Sequence, residues 1–156
     1  MTRWKQGEAE IEHMLDDGQL DRVPADDRAV TMLVGAAARH VASATSLVDS
    51  DPEAAYSLAY DAGRKAATAV LAHQGLRPTA RGGHLAVVRA MREQFPNAPG
   101  LTSLDMLRRR RNQAEYPDPK GYDALTSDEV EEAIAVARDV LGSTERLLDL
   151  PEVGVF

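Results

Sequence analysis

Four consecutive arginines, Arg108–Arg111, form the most unusual stretch of this sequence, with Asn112 directly after them and Tyr116 one turn later. Successive side chains on a helix are about 100° apart, so the four guanidinium groups cannot all face one way. Leu107 is predicted to face the core, which puts Arg111 at the edge of the buried stripe. Guanidinium groups match phosphate oxygens, and Asn112 and Tyr116 would add neutral hydrogen-bond partners. The stretch therefore predicts an anion site; the alternative is a solvated run of charges with a tyrosine capping the core.

The remaining arginines of this helix are expected to widen the basic surface. Arg109 shares a face with Asn112 and Tyr116, because these positions are spaced i, i+3 and i+7. Two intrahelical ion pairs at i, i+4 spacing are expected, namely Asp105–Arg109 and Arg111–Glu115. We expect Arg108 and Arg109 to contribute to nucleic-acid binding.

Three residues outside this helix, His84, Arg81 and Arg64, are further candidates for nucleic-acid binding. His84 follows Arg81 and two glycines at a predicted helix start, where free N–H groups and the helix dipole favour anions. The alternative is a helix-capping or surface histidine. Arg64 precedes Lys65, which can pair with Asp61 at i, i+4. Asp61 and Arg64 either form part of the cleft of the arginine helix or belong to a surface ion pair.

The distribution of charge favours one basic face, although the chain as a whole is acidic. The 156 residues carry a formal net charge of −7. Residues 64–111 hold ten Lys or Arg and two Asp or Glu, whereas the remainder holds eight and 23. This asymmetry points to a positively charged surface. The alternative is that acidic helices pair with the basic ones.

Composition and missing motifs exclude several other chemistries. The chain has no cysteine, which rules out disulfides, thiolate nucleophiles and cysteine-ligated zinc. The sequence contains no Walker or Rossmann glycine pattern and no Gly-x-Ser-x-Gly elbow, and the Glu-x-x-His spacing of a di-iron bundle occurs once. No run approaches the roughly 20 apolar residues of a membrane span, and residues 1–30 hold no stretch typical of a signal peptide. We therefore expect a cytoplasmic protein that has no metal or other cofactor and no membrane contact.

Apolar periodicity predicts an all-α protein, an up-and-down antiparallel bundle of four long core helices with one or two short helices. The expected helices span about residues 5–16, 26–48, 52–74, 84–95, 103–115 and 127–148. Capping boxes are predicted at Thr126–Glu129 and, with Asp in the last place, at Thr102–Asp105. No strand is expected, and Leu76–Gly83 is interpreted as a loop. One domain, 1–156, is expected, with its core at about 26–148 and a loose tail at 151–156 from which Val155 and Phe156 could dock.

The element Arg111-Asn112-x-x-x-Tyr116, ending a helix before a proline, resembles the signature of the HEPN (higher eukaryotes and prokaryotes nucleotide-binding) family. A second similar stretch comprises Ala55–Ala66 and Gly75–Thr79, and the resemblance covers about residues 26–148. It implies a helical bundle that dimerises, so that two motif helices face each other across a basic cleft. In active members, paired Arg and His side chains cleave RNA without a metal. By position, Arg111 would bind phosphate and Asn112 would support it.

Tyr116 stands where the family's motif has His, as in a small prokaryotic subgroup that has tyrosine at this place. The ordinary pKa of tyrosine is near 10, so it is a poor general base at neutral pH. It can still donate a hydrogen bond or stack on a base. Tyr116 is therefore a candidate catalytic residue with Arg111 and Asn112, and His84 is the candidate that could replace the missing histidine.

The family also supplies toxins encoded beside minimal nucleotidyltransferases, some of them silenced by nucleotide transfer to a tyrosine just beyond the motif. Tyr116 and Tyr122 are the candidates for such a modification. The first hypothesis is thus a dimeric RNA- or nucleotide-binding protein, and more specifically a ribonuclease of the toxin–antitoxin or phage-defence type. The alternative is a non-catalytic module that docks a partner protein such as a nucleotidyltransferase. A third interpretation is a helical scaffold whose arginines only balance its acidic helices.

Overall fold

The apolar stripes of the sequence form helices in the computed structural model, which describes residues 3–116, 118–119, 121 and 123–156. Within these residues the chain forms six α-helices, one 3₁₀ turn (Leu101–Ser103) and two short strands. In chain order, the elements are α1 (Glu8–Asp16), β1 (Leu20–Arg22), α2 (Asp27–Leu47), α3 (Pro52–His73), β2 (Leu76–Pro78), α4 (Gly83–Gln94), α5 (Leu104–Glu115) and α6 (Ser127–Leu148). The all-α bundle predicted from the sequence is confirmed.

Helix α3 is the centre of the bundle and packs against α2, α6, α5 and α4. It buries eleven of its residues, and seven of these are alanine or glycine. Because their side chains are small, the neighbouring backbones approach closely, and this positions the functional helices α4 and α5 against α3. None of the helices in the described part of the chain combines the length and apolarity that crossing a membrane requires.

The predicted caps form at most of the long helices. Asp26 accepts hydrogen bonds from the backbone N–H groups of Arg28 and Ala29, and the capping box of Thr126 and Glu129 is complete. The capping box expected at Thr102–Asp105 is wrong. A 3₁₀ turn occupies residues 101–103, and the Asp105 carboxylate binds the arginines of α5 instead. The Asp105 carboxylate therefore binds the charged arginines one turn away in preference to a backbone N–H group.

A two-stranded ribbon corrects the prediction that Leu76–Gly83 is only a loop. Strand β1 pairs antiparallel with β2, with Leu20 opposite Pro78 and Leu76 opposite Arg22. Both leucines are buried. Three residues are too few for a period of two to be visible, and the pairing joins segments more than 50 residues apart. The ribbon leads directly into α4.

The C-terminal segment is packed, so the loose tail expected at 151–156 is wrong. Val153 and Phe156 are buried. The Phe156 N–H donates to the Gln74 carbonyl at 2.8 Å, and the Phe156 carbonyl accepts from Arg22 at 2.6 Å. The guanidinium carbon of Arg3 lies 3.6 Å from the Phe156 ring centroid. Of the two residues named as able to dock, Phe156 does so, whereas Val155 is 57% exposed.

We expect Phe156→Ala to lower the free energy of unfolding by about 3 kcal/mol, because a buried aromatic ring is lost. The neighbouring Val155→Ala is the control and should stay within about 0.5 kcal/mol of the unsubstituted chain. Urea unfolding followed by circular dichroism measures both values. Equal values for the two variants would show that the ring adds nothing to stability.

Candidate functional site

Polar side chains surround the buried ring of Tyr60 at the place where α3, α4 and α5 meet. The Tyr60 side chain is 0% exposed. The guanidinium carbon of Arg111 lies 5.4 Å from the ring centroid, and the His84 ring lies 5.9 Å from it at an angle of 50°. We call the following residues the Tyr60 cluster: Tyr60, Asp61, Arg64, His84, Arg108 and Arg111.

The apolar pattern of α5 explains why two of its four arginines face this cluster. Leu104 and Leu107 are buried against the bundle, as predicted. Arg108 and Arg111 flank Leu107 at one and four positions beyond it, so their stems run along the edge of the buried stripe. Their side chains are 23% and 21% exposed. Arg110 points to the opposite edge, where it binds Glu129 of α6 at 2.9 Å.

Each arginine of the cluster is held by a carboxylate one turn away on its own helix. The nitrogen–oxygen distances are 3.4 Å for Arg64–Asp61, 2.9 Å for Arg108–Asp105 and 3.1 Å for Arg111–Glu115. The predicted Arg111–Glu115 pair is thus present. The expected pairing of Asp61 with Lys65 is corrected, since Asp61 binds Arg64. Asp105 also binds Arg109, so three carboxylates face four arginines, and the formal charge of the site is +1 while His84 is neutral.

Three polar atoms of the cluster are buried and lack a hydrogen-bond partner among the residues that the structure describes. They are the hydroxyl oxygen (Oη) of Tyr60 and the Nε atoms of Arg64 and Arg111. Leaving a buried donor unpaired costs about 1–3 kcal/mol. Each of these three groups can donate one hydrogen bond.

Burial sets the protonation states of Tyr60 and His84. It raises the pKa of the Tyr60 phenol, with the neighbouring arginines opposing the shift, so the hydroxyl remains a donor at neutral pH. Burial is also the main cause of the lowered pKa of His84, and the positive charges of Arg64 and Arg111 add to it. The His84 imidazole is therefore neutral at pH 7.

The structure brings together four of the eight predicted site residues, namely Arg64, His84, Arg108 and Arg111. The other four lie apart in the described residues. Arg109 is 72% exposed and pairs with Asp105 as predicted, and Arg81 pairs with Asp17 near the end of α1. Asn112 is exposed, and Tyr116 is 80% exposed at the end of α5. Tyr122 lies outside the described residues.

Comparison with known families gives one match. Residues 32–147, well over half of the chain, match the model of the HEPN domain. The chain belongs to the HEPN family. No curated protein and no solved structure matches it significantly. Membership in the HEPN family indicates nucleotide or RNA binding, or a ribonuclease-like function.

Two residues of this HEPN domain that face the site were not among the predicted site residues. The Arg111 and His84 side chains both lie beside the Tyr60 ring. The sequence signal for Tyr60 was its position four residues before Arg64, which places both on one face of α3. His40 of α2 lies near the Asp61–Arg64 pair, and burial followed by the charge of Lys65 lowers its pKa. The four-residue spacing on α3 did not reveal which side of the helix carried the site.

The described part of the HEPN domain contains no group of three or more His, Asp or Glu side chains that could hold a metal ion. The Tyr60 cluster instead carries donors of positive and neutral character, which suit an anion. Its chemistry is hydrogen bonding and charge neutralisation by arginine, with one imidazole able to transfer a proton.

Proposed function

We propose that this HEPN domain binds the phosphate groups of RNA or of a nucleotide at the Tyr60 cluster. One observation carries the proposal: Tyr60, Arg64 and Arg111 each hold a buried donor without a partner among the described residues. A phosphate group offers several acceptor oxygens and negative charge, which suit donors of this kind. The ion pairs to Asp61 and Glu115 hold the two guanidinium groups in place for it.

A ribonuclease activity would use the same groups. In metal-independent cleavage the 2′-oxygen of RNA attacks the adjacent phosphorus and loses its proton, and the 5′-oxygen leaves and gains one. Arg64 and Arg111 would neutralise the charge that develops on the phosphate oxygens. The imidazole of His84 would carry the proton transfers, a role to which the phenol of Tyr116 is less suited.

A dimer is part of this proposal. Asn112 and Tyr116 belong to the family motif but are exposed, while Arg111 faces the Tyr60 cluster of its own chain. A second copy that meets the same helix end would bring its Asn112 and Tyr116 to a shared basic cleft. A toxin–antitoxin or phage-defence role would follow from RNA cleavage by such a dimer.

The exposure of Tyr116 favours a second candidate function. At 80% exposure its ring is accessible to a partner protein. In that case the chain is a non-catalytic module that docks a protein such as a nucleotidyltransferase, and Tyr116 is the acceptor of a transferred nucleotide. This function needs no RNA at the Tyr60 cluster.

The test is a binding and cleavage assay on labelled single-stranded RNA in the presence of EDTA. The unsubstituted chain is compared with Arg111→Ala and with the control Arg77→Ala. Arg77 is likewise an arginine with one carboxylate partner, 3.2 Å from Asp21, but it lies on β2 outside the cluster. We expect Arg111→Ala to weaken RNA binding at least 10-fold. The slope of log affinity against log salt concentration should become less steep by the amount that about one phosphate contact contributes. Arg77→Ala should bind like the unsubstituted chain.

Four outcomes of this assay separate the functions. Cleavage that disappears in Arg111→Ala supports the ribonuclease, and binding without cleavage supports a recognition domain. Equal losses in Arg111→Ala and Arg77→Ala would reduce the effect to general surface charge. If the unsubstituted chain neither binds nor cleaves RNA, the phosphate proposal is wrong and the protein-docking function is favoured. Sedimentation of the same samples measures the dimer.

A further inference from the structure

We infer that His84 is a further phosphate ligand of the Tyr60 cluster and that its ring takes up a proton when phosphate is bound. This inference rests on the proposed function, because it concerns the same site. His84 is already a candidate from the sequence, and the inference adds a coupling between phosphate binding and protonation of its ring.

The surroundings of His84 explain why its ring is neutral before a ligand binds. From α3 it faces Tyr60, Asp61 and Arg64, and from α5 it faces Arg108 and Arg111. Tyr60 is uncharged at neutral pH, so Asp61 is the single negative group among these five. A positive charge on the ring would stand near three guanidinium groups, which is unfavourable.

Phosphate would reverse this balance. With Arg109, which shares Asp105, the arginines exceed their three carboxylate partners by one positive charge. A bound phosphodiester would cancel that excess and so favour the charged form of the ring. Protonation turns the second ring nitrogen of His84 into a donor. The ring already packs against the Tyr60 ring, whose hydroxyl is one of the three unpartnered donors.

The direction of the pH dependence follows from this linkage. Bound phosphate raises the pKa of His84 above its value in the free protein. Affinity therefore increases as the pH falls from the pKa of the complex to the pKa of the free protein, and it is constant outside that interval. Each unit by which phosphate raises the pKa corresponds to a 10-fold change in affinity.

The probe is hexauridylate with hydroxyl groups at both ends. Its internal phosphodiesters keep one charge each between pH 6 and 8, whereas a terminal phosphate would titrate near pH 6 and obscure the effect. Titration calorimetry in two buffers of different ionisation enthalpy gives the affinity and the number of protons taken up. The proteins are the unsubstituted chain, His84→Gln and the control His40→Gln, which removes the other histidine near the Asp61–Arg64 pair.

We expect the unsubstituted chain to bind hexauridylate about 10-fold more tightly at pH 6 than at pH 8, with proton uptake. His84→Gln should bind without proton uptake and with an affinity near that of the unsubstituted chain at pH 8. His40→Gln should resemble the unsubstituted chain. The ring resonance of His84, assigned by its loss in His84→Gln, should titrate at higher pH when hexauridylate is present.

Results that contradict the role of His84 differ from those that contradict the proposed function. Binding with the same proton uptake in His84→Gln, or binding of the unsubstituted chain that does not vary with pH, overturns the role of His84 and leaves the proposed function intact. Loss of proton uptake in His40→Gln alone would assign the proton to His40 and would also overturn the role of His84. A complete absence of binding at both pH values overturns the proposed function itself. Because His84 is exposed, His84→Gln is expected to fold, and its thermal unfolding checks this.

Discussion

Two substitutions of Tyr60 are expected to change stability in opposite directions while both weaken phosphate binding. Tyr60→Ala removes a fully buried ring from the middle of α3 and should lower the free energy of unfolding by about 4 kcal/mol. Tyr60→Phe keeps the ring and removes the hydroxyl, which is buried and has no partner among the described residues. Removing such a group should leave stability unchanged or raise the free energy of unfolding by about 1 kcal/mol.

The effect of Tyr60→Phe on binding separates a functional hydroxyl from an accidental one. A hydrogen bond to a charged group contributes about 1.5–3 kcal/mol, so its loss should weaken the binding of hexauridylate 10-fold or more. The ring contact with Arg111 is retained, so the position of that arginine should not change. Tyr56→Phe, one turn earlier on the same helix, is the control and should bind normally. A gain in stability without a loss of affinity would mean that the hydroxyl does not touch the ligand.

Gly100→Ala is expected to be the most destabilising single-methyl change in the approach to α5. Gly100 has φ 85°, and a Cβ there would lie 2.8 Å from the Val140 backbone nitrogen and 2.9 Å from the Val136 carbonyl oxygen. Left-handed strain costs about 1 kcal/mol for a residue with a side chain. The contact with the α6 backbone should add about 2 kcal/mol, because α6 cannot move away from the new methyl group without repacking. The total is a loss of about 3 kcal/mol.

Gly18→Ala is the matched control for this prediction. Its φ is 73°, and a Cβ there meets nothing within 4 Å among the described residues. It should therefore lose only the strain, about 1 kcal/mol. Urea unfolding measures both variants, and the binding of hexauridylate reports whether the arginines of α5 have moved. Equal losses for the two variants would show that α6 accommodates the methyl group freely.

Local patterns were sufficient for the helices and for part of the site. The stripe of Leu104 and Leu107 on α5 placed Arg111 at the edge of the core, and the i, i+4 rule found its pair with Glu115. Both depend on neighbours within one turn of the same helix, where spacing alone decides which side chains meet. The capping box at Thr126 was predictable for the same reason.

Contacts between distant segments were not predictable in this way. Leu20 pairs with Pro78, and the Phe156 backbone is hydrogen-bonded to Gln74 and Arg22. Segments of three to six residues contain too few positions to show a period, so nothing in them distinguishes a loop from a paired strand or a packed tail. Their stability comes from burial against partners that the local sequence does not specify.

The sequence by itself determined that the chain is a bundle of helices, and it predicted an anion site in a basic segment with the features of a HEPN domain. Only the tertiary structure decided which arginines share that site. Packing placed Arg108 and Arg111 beside the Tyr60 ring and His84. Arg109 and Arg110 point in other directions, because successive side chains on α5 are about 100° apart. The reason is physical: spacing along a helix sets the direction of a side chain relative to its own axis. What that side chain meets depends on how three separate helices pack.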